Sequence, residues 1–555
     1  MCYALGLLLC SYLLSFHTLP WASAHSEAFA FLAVLVWGWS AVLRNAGTIR
    51  LNNPIKALLA LELLIALQYA SGYIVFGGDA LMLLIYTHLC ITTLLVAQEG
   101  ASNASWPKAL AFTLLVAALA SALIALTQAL GVWTDSEWIL SHSGSRRPGA
   151  NIGQPNHLGT LLLMGAASLI YLDQRLNISR ITAVTLSSVL LLGIGIVESR
   201  TCLLSALGLC LWWGTRSKIF DDNSRWLWML GAALTLILLM AVWPPFISHI
   251  HEPSTAPSSS LPLGATINVA AGTRIVVWPQ LWQAAWLKPC LGWGLGNVSA
   301  AHNAVLHTYS VAEPFTYAHN IVLDMAIGLG LPLTGFALWA GGVWAWRRAR
   351  SVESLESWYA VAVLIPFAMH SLLEYPFAYA YFLIPVILAI ALLERQNTIH
   401  AGGVIPRKVL VGSLIAFSGL LGLMAVEYMK IEEDFRVARF EALNVGQTAA
   451  GYERPNIIVL TQLKALVMVT RMEAQPDMSY EDIAMFRFVA LRFPLVPTLK
   501  HYALSLALNG NPQEAIRQLK VMRALYGEGE YAKMRDSWVE LANGKYPQLK
   551  VIEFP

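Results

Sequence analysis

A few residues in this sequence have the types and spacing to act on an anion. Arg147 stands in "RRPGANIGQPNH" (146–157), with Gln154 and Asn156 following it; Arg200 stands in "ESRT" and Arg274 in "AGTR". A guanidinium presents a planar fork of N–H donors that fits phosphate or carboxylate oxygens. "YAHN" supplies Tyr317, His319 and Asn320, and a neutral imidazole can accept a proton near neutral pH. "HSLLEYP" sets His370 and Glu374 four apart, on one face of a helix, followed by Tyr375. Together these side chains offer anion binding and proton transfer. Each also has a plainer role. Gln154-Pro155-Asn156 suits a helix N-terminus. Tyr375 before Pro376 suits an interfacial aromatic belt, Arg200 a snorkelling helix end, and His319 a structural interfacial histidine. Glu62 and His88, inside other apolar runs, read as satisfied core polar groups.

The elements that must position these residues are membrane helices. The chain is 57% hydrophobic and 12% charged, with 20 tryptophans, against roughly 25% charged residues in soluble domains. A net charge of +3 is too small to point to nucleic acid. The six cysteines show no disulfide framework and no zinc spacing. Ala22-Ser23-Ala24 faintly resembles a signal-peptide cleavage site, but no Lys or Arg precedes the apolar run, so a retained first helix is expected. Apolar runs of membrane-spanning length predict an all-α polytopic protein with thirteen spans, near 3–19, 27–43, 55–75, 80–98, 108–131, 157–172, 181–197, 201–214, 226–247, 319–346, 355–374, 377–394 and 407–427.

Basic residues orient the spans. One set of alternate loops holds Arg44, Arg50, Lys56, Lys108, Arg175, Arg180, Arg216, Lys218, Arg225, Arg347, Arg348, Arg350, Arg395, Arg407 and Lys408; the other holds Arg146, Arg147, Arg200, Arg274 and Lys288. The positive-inside rule places the richer set, and the N-terminus, in the cytoplasm. Arg147, Arg200 and Arg274 then lie on the outer side, where basic residues are disfavoured. An anionic partner there explains why they are kept. Ionisable groups near membrane depth usually face a bundle interior or a wet cavity, and these gather toward one leaflet.

Four segments follow: N-terminal spans over 1–247, a long outer loop over 248–318, C-terminal spans over 319–427 and an outer helical domain over 428–555. The loop opens with the Pro/Ser-rich "HEPSTAPSSSLPLG". Beyond it Trp278, Trp282 and Trp286 are spaced four apart, which predicts one aromatic stripe on an amphipathic helix in the headgroup region. The stripe suits a lid anchor as well as substrate contact. "GWGLG" (292–296) reads as a turn. In the tail, "HYALSLALNGNPQEAIRQLKVMRALYG" (501–527) reads as helix, turn, helix, like a tetratricopeptide hairpin or a small helical cap.

Several stretches have the look of a known family: "HTLPWASAHSE", "GQPNHLGTLLLMG", "SRT", "GTRIVVWPQLW" with "KPCLGWGLG", "AHNIVLDMAIGLGLP" and "EYPFAYAYFLIP". In this order, over most of residues 15–390, the chain resembles the O-antigen ligase/polymerase superfamily (WaaL/Wzy), and within it the bacterial protein O-oligosaccharyltransferases of the PglL type. Asp324 departs from that pattern, where an uncharged residue is expected.

The resemblance implies a GT-C-like ligase fold in the bacterial inner membrane, with the active site and tail in the periplasm. It implies transfer of a glycan from undecaprenyl pyrophosphate to Ser or Thr of a periplasmic protein such as pilin, with inversion at the sugar carbon. His319 is then the expected base, or a ligand of the diphosphate. Arg200 and Arg274, with Arg147 as a third, are expected to bind the diphosphate in place of a metal, so no cofactor is expected. Gln154, Asn156, Asn320, Tyr375 and Glu374 are expected to position donor or acceptor, Glu374 by holding Arg200 or His370. The related alternatives are a lipopolysaccharide O-antigen ligase or an O-antigen polymerase. A lipid-linked glycan transporter, the reading from another class, would carry charges near the bilayer midplane and inverted repeats.

Overall fold

The computed structural model describes residues 2–44, 49–99, 105–133, 136–141, 147–215, 219–220, 225–250, 271–395, 402–552 and 554. Arg146, Arg216, Lys218 and the Pro/Ser-rich stretch 251–264 lie outside the described residues. The fold is nearly all α. The first nine helices are α1 (Cys2–Leu13), α2 (Ala24–Arg44), α3 (Asn53–Ala70), α4 (Gly77–Glu99), α5 (Trp106–Ala129), α6 (Pro155–Leu176), α7 (Arg180–Val197), α8 (Arg200–Thr215) and α9 (Arg225–Ile250). Next come α10 (Ala271–Leu287) and α11 (Val298–Leu306), then α12 (Ile321–Leu329), α13 (Leu331–Arg350), α14 (Leu355–Ser371), α15 (Ala380–Arg395) and α16 (Arg407–Ala442). The tail holds α17 (Thr461–Arg471), α18 (Tyr480–Arg492), α19 (Val496–Leu508) and α20 (Pro512–Asn543). A short antiparallel pair, β1 (Ile49–Leu51) with β2 (Gly402–Ile405), sets Ile49 opposite Ile405.

Among the described residues seven helices are long and apolar enough to cross a membrane: those over Ala24–Leu43, Asn53–Ala70, Gly77–Gln98, Trp106–Ala129, Arg180–Val197, Trp226–Ile247 and Arg407–Ala442. The protein is therefore a multi-pass membrane protein. The helices at the other predicted spans fall short of that measure in length or apolarity.

Three predicted boundaries move. The span expected over 3–19 ends as helix at Leu13, because Asn151 Nδ2 takes the Leu13 carbonyl at 2.7 Å and Ser15 Oγ donates to Glu137 O at 2.6 Å. The span expected over 319–346 is two helices, broken at Gly330 (φ +80°) just before Pro332. The helix expected over 407–427 runs on to Ala442, since its charged continuation still favours helix where apolarity stops.

The chain forms two compact units. One comprises Met1–Glu62, Ile85–Leu261 and Gly342–Leu420. Its α5 is alanine-rich, with Ala111, Ala117, Ala118, Ala122 and Ala125 buried. Small residues let helices cross closely where lipid supplies no hydrophobic drive. A Cβ built on Gly193 of α7 would lie 2.9 Å from Ala122 Cβ. Buried Glu27 of α2 accepts from Tyr86 Oη at 2.9 Å and from the Ala380 amide at 2.8 Å, tying α2 to α4 and to the start of α15.

The other unit comprises Leu63–Leu84, Pro262–Gly341 and Leu421–Pro555. Its central cluster joins Val277, Leu281 and Ala285 of α10, Val298, Ala301 and Val305 of α11, and Leu323, Ala326 and Ile327 of α12, with Phe315 and Ala318. The "GWGLG" turn is clasped to the end of α12 by backbone bonds: Trp293 N donates to Ile327 O at 2.6 Å, and Leu331 N to Pro289 O at 2.7 Å. Gly292 (φ +71°) is required there, because a Cβ would lie 2.5 Å from Ile327 O and 2.7 Å from Gly330 N. In the tail, α19, an Asn509-Gly510-Asn511 turn and α20 form the expected helix–turn–helix, with Asn511 capping α20 through Glu514 N.

Candidate active site

In the first unit the candidate residues meet at two helix N-termini. Gln154 is the N-cap of α6, Pro155 takes the first helical position, and Gln154 makes no side-chain cap bond. Asn156 does not cap either. Its amide donates to Glu374 Oε1 at 2.9 Å, while its oxygen accepts from Ser199 Oγ at 2.7 Å and from Arg147 Nη2 at 3.2 Å. Arg147 Nε also donates to the Val197 carbonyl at 3.0 Å. Capping alone thus does not account for this stretch. Ser199 Oγ in turn accepts from Cys202 N at 3.1 Å, which caps the start of α8.

The N-termini of α6 and α8 are thereby stitched side by side. Helix N-termini carry unpaired N–H groups and the positive end of the macrodipole, so they attract anions. Arg147 flanks the pair on one side. Arg200, the first residue of α8, is exposed and pairs with no carboxylate among the described residues. Glu198, before it, holds a left-handed conformation (φ +48°), a strained state for a non-glycine residue. The buried carboxylate of Glu374 completes the cluster, anchored by Asn156. Glu374, expected to hold Arg200 or His370, accepts from Asn156, and His370 Nδ1 meets Thr160 Oγ1 at 2.7 Å.

One turn into α6 lies a residue that sequence reasoning passed over. His157 is buried, with ring centroids 4.7 Å from Tyr379, 5.2 Å from His370 and 6.0 Å from Tyr375. Tyr375 stacks on Tyr379 at 6.0 Å. The signal was present in "QPNH" and "EYPFAYAY", but a histidine in the first turn of an apolar helix and tyrosines just before another carry no periodic mark of their own.

The second unit holds Arg274, His319 and Asn320. Asn320 is the N-cap of α12, accepting from Val322 N at 2.9 Å and Leu323 N at 3.2 Å. His319 sits just outside that helix with φ +53° and is 8% exposed. Its ring lies 4.5 Å from that of Phe315. Two bonds fix the residue before it: Ala318 N donates to Asp324 Oδ2 at 3.0 Å, and Trp278 Nε1 donates to Ala318 O at 3.0 Å. Asp324, the departure from the family pattern, is therefore a backbone anchor for the His319 turn. Arg274 stands one helical turn before Trp278 on α10, so both share a face.

The tryptophan stripe does not stay on one face. Trp278 packs against the buried cluster, while Trp282 and Trp286 are 45% and 56% exposed. A spacing of four advances about 40° around a helix at each step, which rotates the later two outward. Among the described residues no three His, Cys, Asp or Glu side chains gather to hold a metal ion.

Comparison with known proteins fits this geometry. Residues 187–340 match the O-antigen ligase family model, residues 148–172 the protein glycosylation ligase model, and residues 358–539 the virulence factor membrane-bound polymerase C-terminal model. A general O-oligosaccharyltransferase of Acinetobacter baylyi is 24% identical over 525 residues, covering 92% of this chain and 89% of the relative. A ComP-specific O-oligosaccharyltransferase of the same organism is 27% identical over 295 residues, 52% of each chain. These matches make the chain similar to membrane-bound glycan ligases of the O-antigen ligase superfamily. Within that superfamily the similarity is to the PglL type, the protein O-oligosaccharyltransferases.

Proposed function

We propose that this protein transfers a glycan from a polyprenyl diphosphate, undecaprenyl pyrophosphate, to Ser or Thr hydroxyls of periplasmic proteins such as pilin. The observation that carries the reading is the joining of the α6 and α8 N-termini through Asn156 and Ser199, flanked by Arg147 and Arg200. That arrangement suits an anion that arrives as a diester and departs with an additional charge. In the proposed step the acceptor oxygen bonds to the sugar C1 from the face opposite the diphosphate, with inversion. The C1–O bond to phosphate breaks and its electron pair leaves with the diphosphate. His319 accepts the hydroxyl proton, an effect of roughly 10²–10⁴-fold. Arg200 and Arg274, with Arg147, take the role that a divalent metal plays elsewhere; each well-placed donor can contribute about 3–4 kcal/mol. Gln154, Asn320 and Tyr375 position donor or acceptor. The proposal includes thirteen spans in the inner membrane, a cytoplasmic N-terminus and a tetratricopeptide-like tail in the periplasm.

The test is glycan transfer in membranes that hold a lipid-diphosphate-linked glycan and a pilin-like acceptor. His319→Ala is expected to abolish transfer while the protein still inserts, and Arg274→Ala to weaken donor use more than acceptor use. Full activity of both variants overturns the site assignment. Transfer that stops with chelator and returns with added divalent metal overturns the role given to arginine. The matches to O-antigen ligase and polymerase models favour one second reading, glycosylation of a lipid-borne sugar. Replacing the protein acceptor with a lipid-borne glycan separates the two.

A further inference from the structure

In the second unit, the tail bonds to α11, to the start of α4 and to Ala312 of the segment that carries His319. Arg517 of α20 donates from Nη1 to Asn303 O at 3.0 Å and from Nη2 to Asn303 Oδ1 at 3.1 Å. Asn303, on α11, is buried and also donates to buried Gln518 Oε1 at 3.1 Å. Ala312 N donates to Ala524 O at 2.8 Å. Arg492, at the end of α18, grips Asp79 with two N–H···O bonds of 2.9 Å each.

These contacts lead inward by short steps. Asn303 shares α11 with Ser299, whose Oγ donates to Phe315 O at 2.8 Å. Phe315 packs its ring against His319. Asp79 opens α4, and the residue before it, Gly78, donates its N–H to Thr461 Oγ1 at 2.9 Å at the start of α17. Segment 307–320 is thus held on one side by α10 and α12, through Trp278 and Asp324, and on the other by the tail.

We infer that the tail domain sets the position of His319, with Arg517 as a positioning residue acting through Asn303 and Arg492 fixing the tail on Asp79. The inference rests on the proposed role of His319 in transfer. A residue held left-handed just outside a helix keeps its side chain in place only while its flanks are fixed. Partly buried, charge-assisted bonds from two tail helices supply that constraint. The tail is on this view part of the catalytic support.

The experiment uses the full chain in membranes, with a lipid-diphosphate-linked glycan and the acceptor protein, and compares Arg492→Gln, Arg492→Lys, Asn303→Ala and Arg517→Lys with His319→Ala. Displacement of a reacting group by about 1 Å can cost 10²-fold. Arg492→Gln and Asn303→Ala are expected to lower kcat by up to about 10²-fold with KM for both substrates unchanged. The lysine variants, which keep the charge, are expected to fall between. Amide hydrogen exchange should rise in 307–320 and stay as in the wild type in α6. An inactive His319→Ala beside Arg492→Gln and Asn303→Ala of wild-type kcat overturns the inference and leaves the transfer reading standing. Unchanged exchange in 307–320, or a rise spread over the whole chain, also overturns it. A fully active His319→Ala with a selective rise in exchange overturns the transfer reading while the tail's hold on the segment stands.

Discussion

Replacing Gly292 by alanine isolates how much the docking of the "GWGLG" turn depends on backbone contact. Two glycines of the same turn serve as test and control. Gly292 and Gly296 both have left-handed φ, +71° and +78°, so a Cβ at either costs about 1–2 kcal/mol in local conformation. At Gly296 the added atom meets nothing within 4 Å. At Gly292 it meets Ile327 O at 2.5 Å and Gly330 N at 2.7 Å, both backbone atoms that cannot rotate aside. Overpacking of that kind adds about 1–3 kcal/mol. Gly292→Ala should therefore be less stable than Gly296→Ala by about 1–3 kcal/mol. The assay is unfolding of the detergent-solubilised protein followed by tryptophan fluorescence. Trp293 reports locally, since its indole donates to Ala284 O at 2.8 Å and lies under the Lys288 ammonium at 4.2 Å. Equal unfolding midpoints for the two variants would refute the argument, because backbone strain alone would then explain both.

Asn156→Ala removes the donor to buried Glu374 and the acceptor for Ser199 and Arg147. A hydrogen bond to a charged group is worth about 1.5–3 kcal/mol, so this variant should lose thermal stability and transfer activity together, with Ser199→Ala milder at about 1 kcal/mol; melting and transfer assays check both. His302 is buried against Gln280, its Nε2 2.8 Å from Gln280 Oε1, and burial pushes its pKa down to about 3 from an ordinary 6.5. A histidine lowered in the folded state supports folding above pH 6.5 and loses that support as pH falls toward 3. The melting temperature should therefore fall through that window, and His302→Gln should flatten the slope.

Apolar runs of bilayer length, with the asymmetry of Lys and Arg between alternate loops, made the membrane class legible from residue types alone. The coarse positions of most helices followed. Where the reading slipped, the cause is local. Gly328, Gly330 and Pro332 were visible as helix breakers, yet the largely apolar character of 321–346 masked the break. Helix α11 was missed because its nine residues sit inside a long loop, although Val298, Ala301, Val305 and Leu306 already show helical spacing. At the candidate site, Asn156 and Glu374 stood out as polar residues at helix ends. Ser199 did not, because a serine between Glu198 and Arg200 gives no hint that it joins two helix N-termini. His157 was hidden by its place inside an apolar helix. The role of Asp324 needed coordinates, since its partner is the backbone amide of Ala318.

The clasp between the "GWGLG" turn and the 327–331 helix break also bears on biosynthesis. The backbone partners of the Trp293 amide and the Pro289 carbonyl, Ile327 and Leu331, come later in the chain. The turn that leads into α11 and on to His319 therefore waits for a later part of the polypeptide before it can lock. A nascent chain halted before Ile327 would present that turn undocked, to be met by proteases or membrane quality control, whereas one extended past Leu331 would be protected.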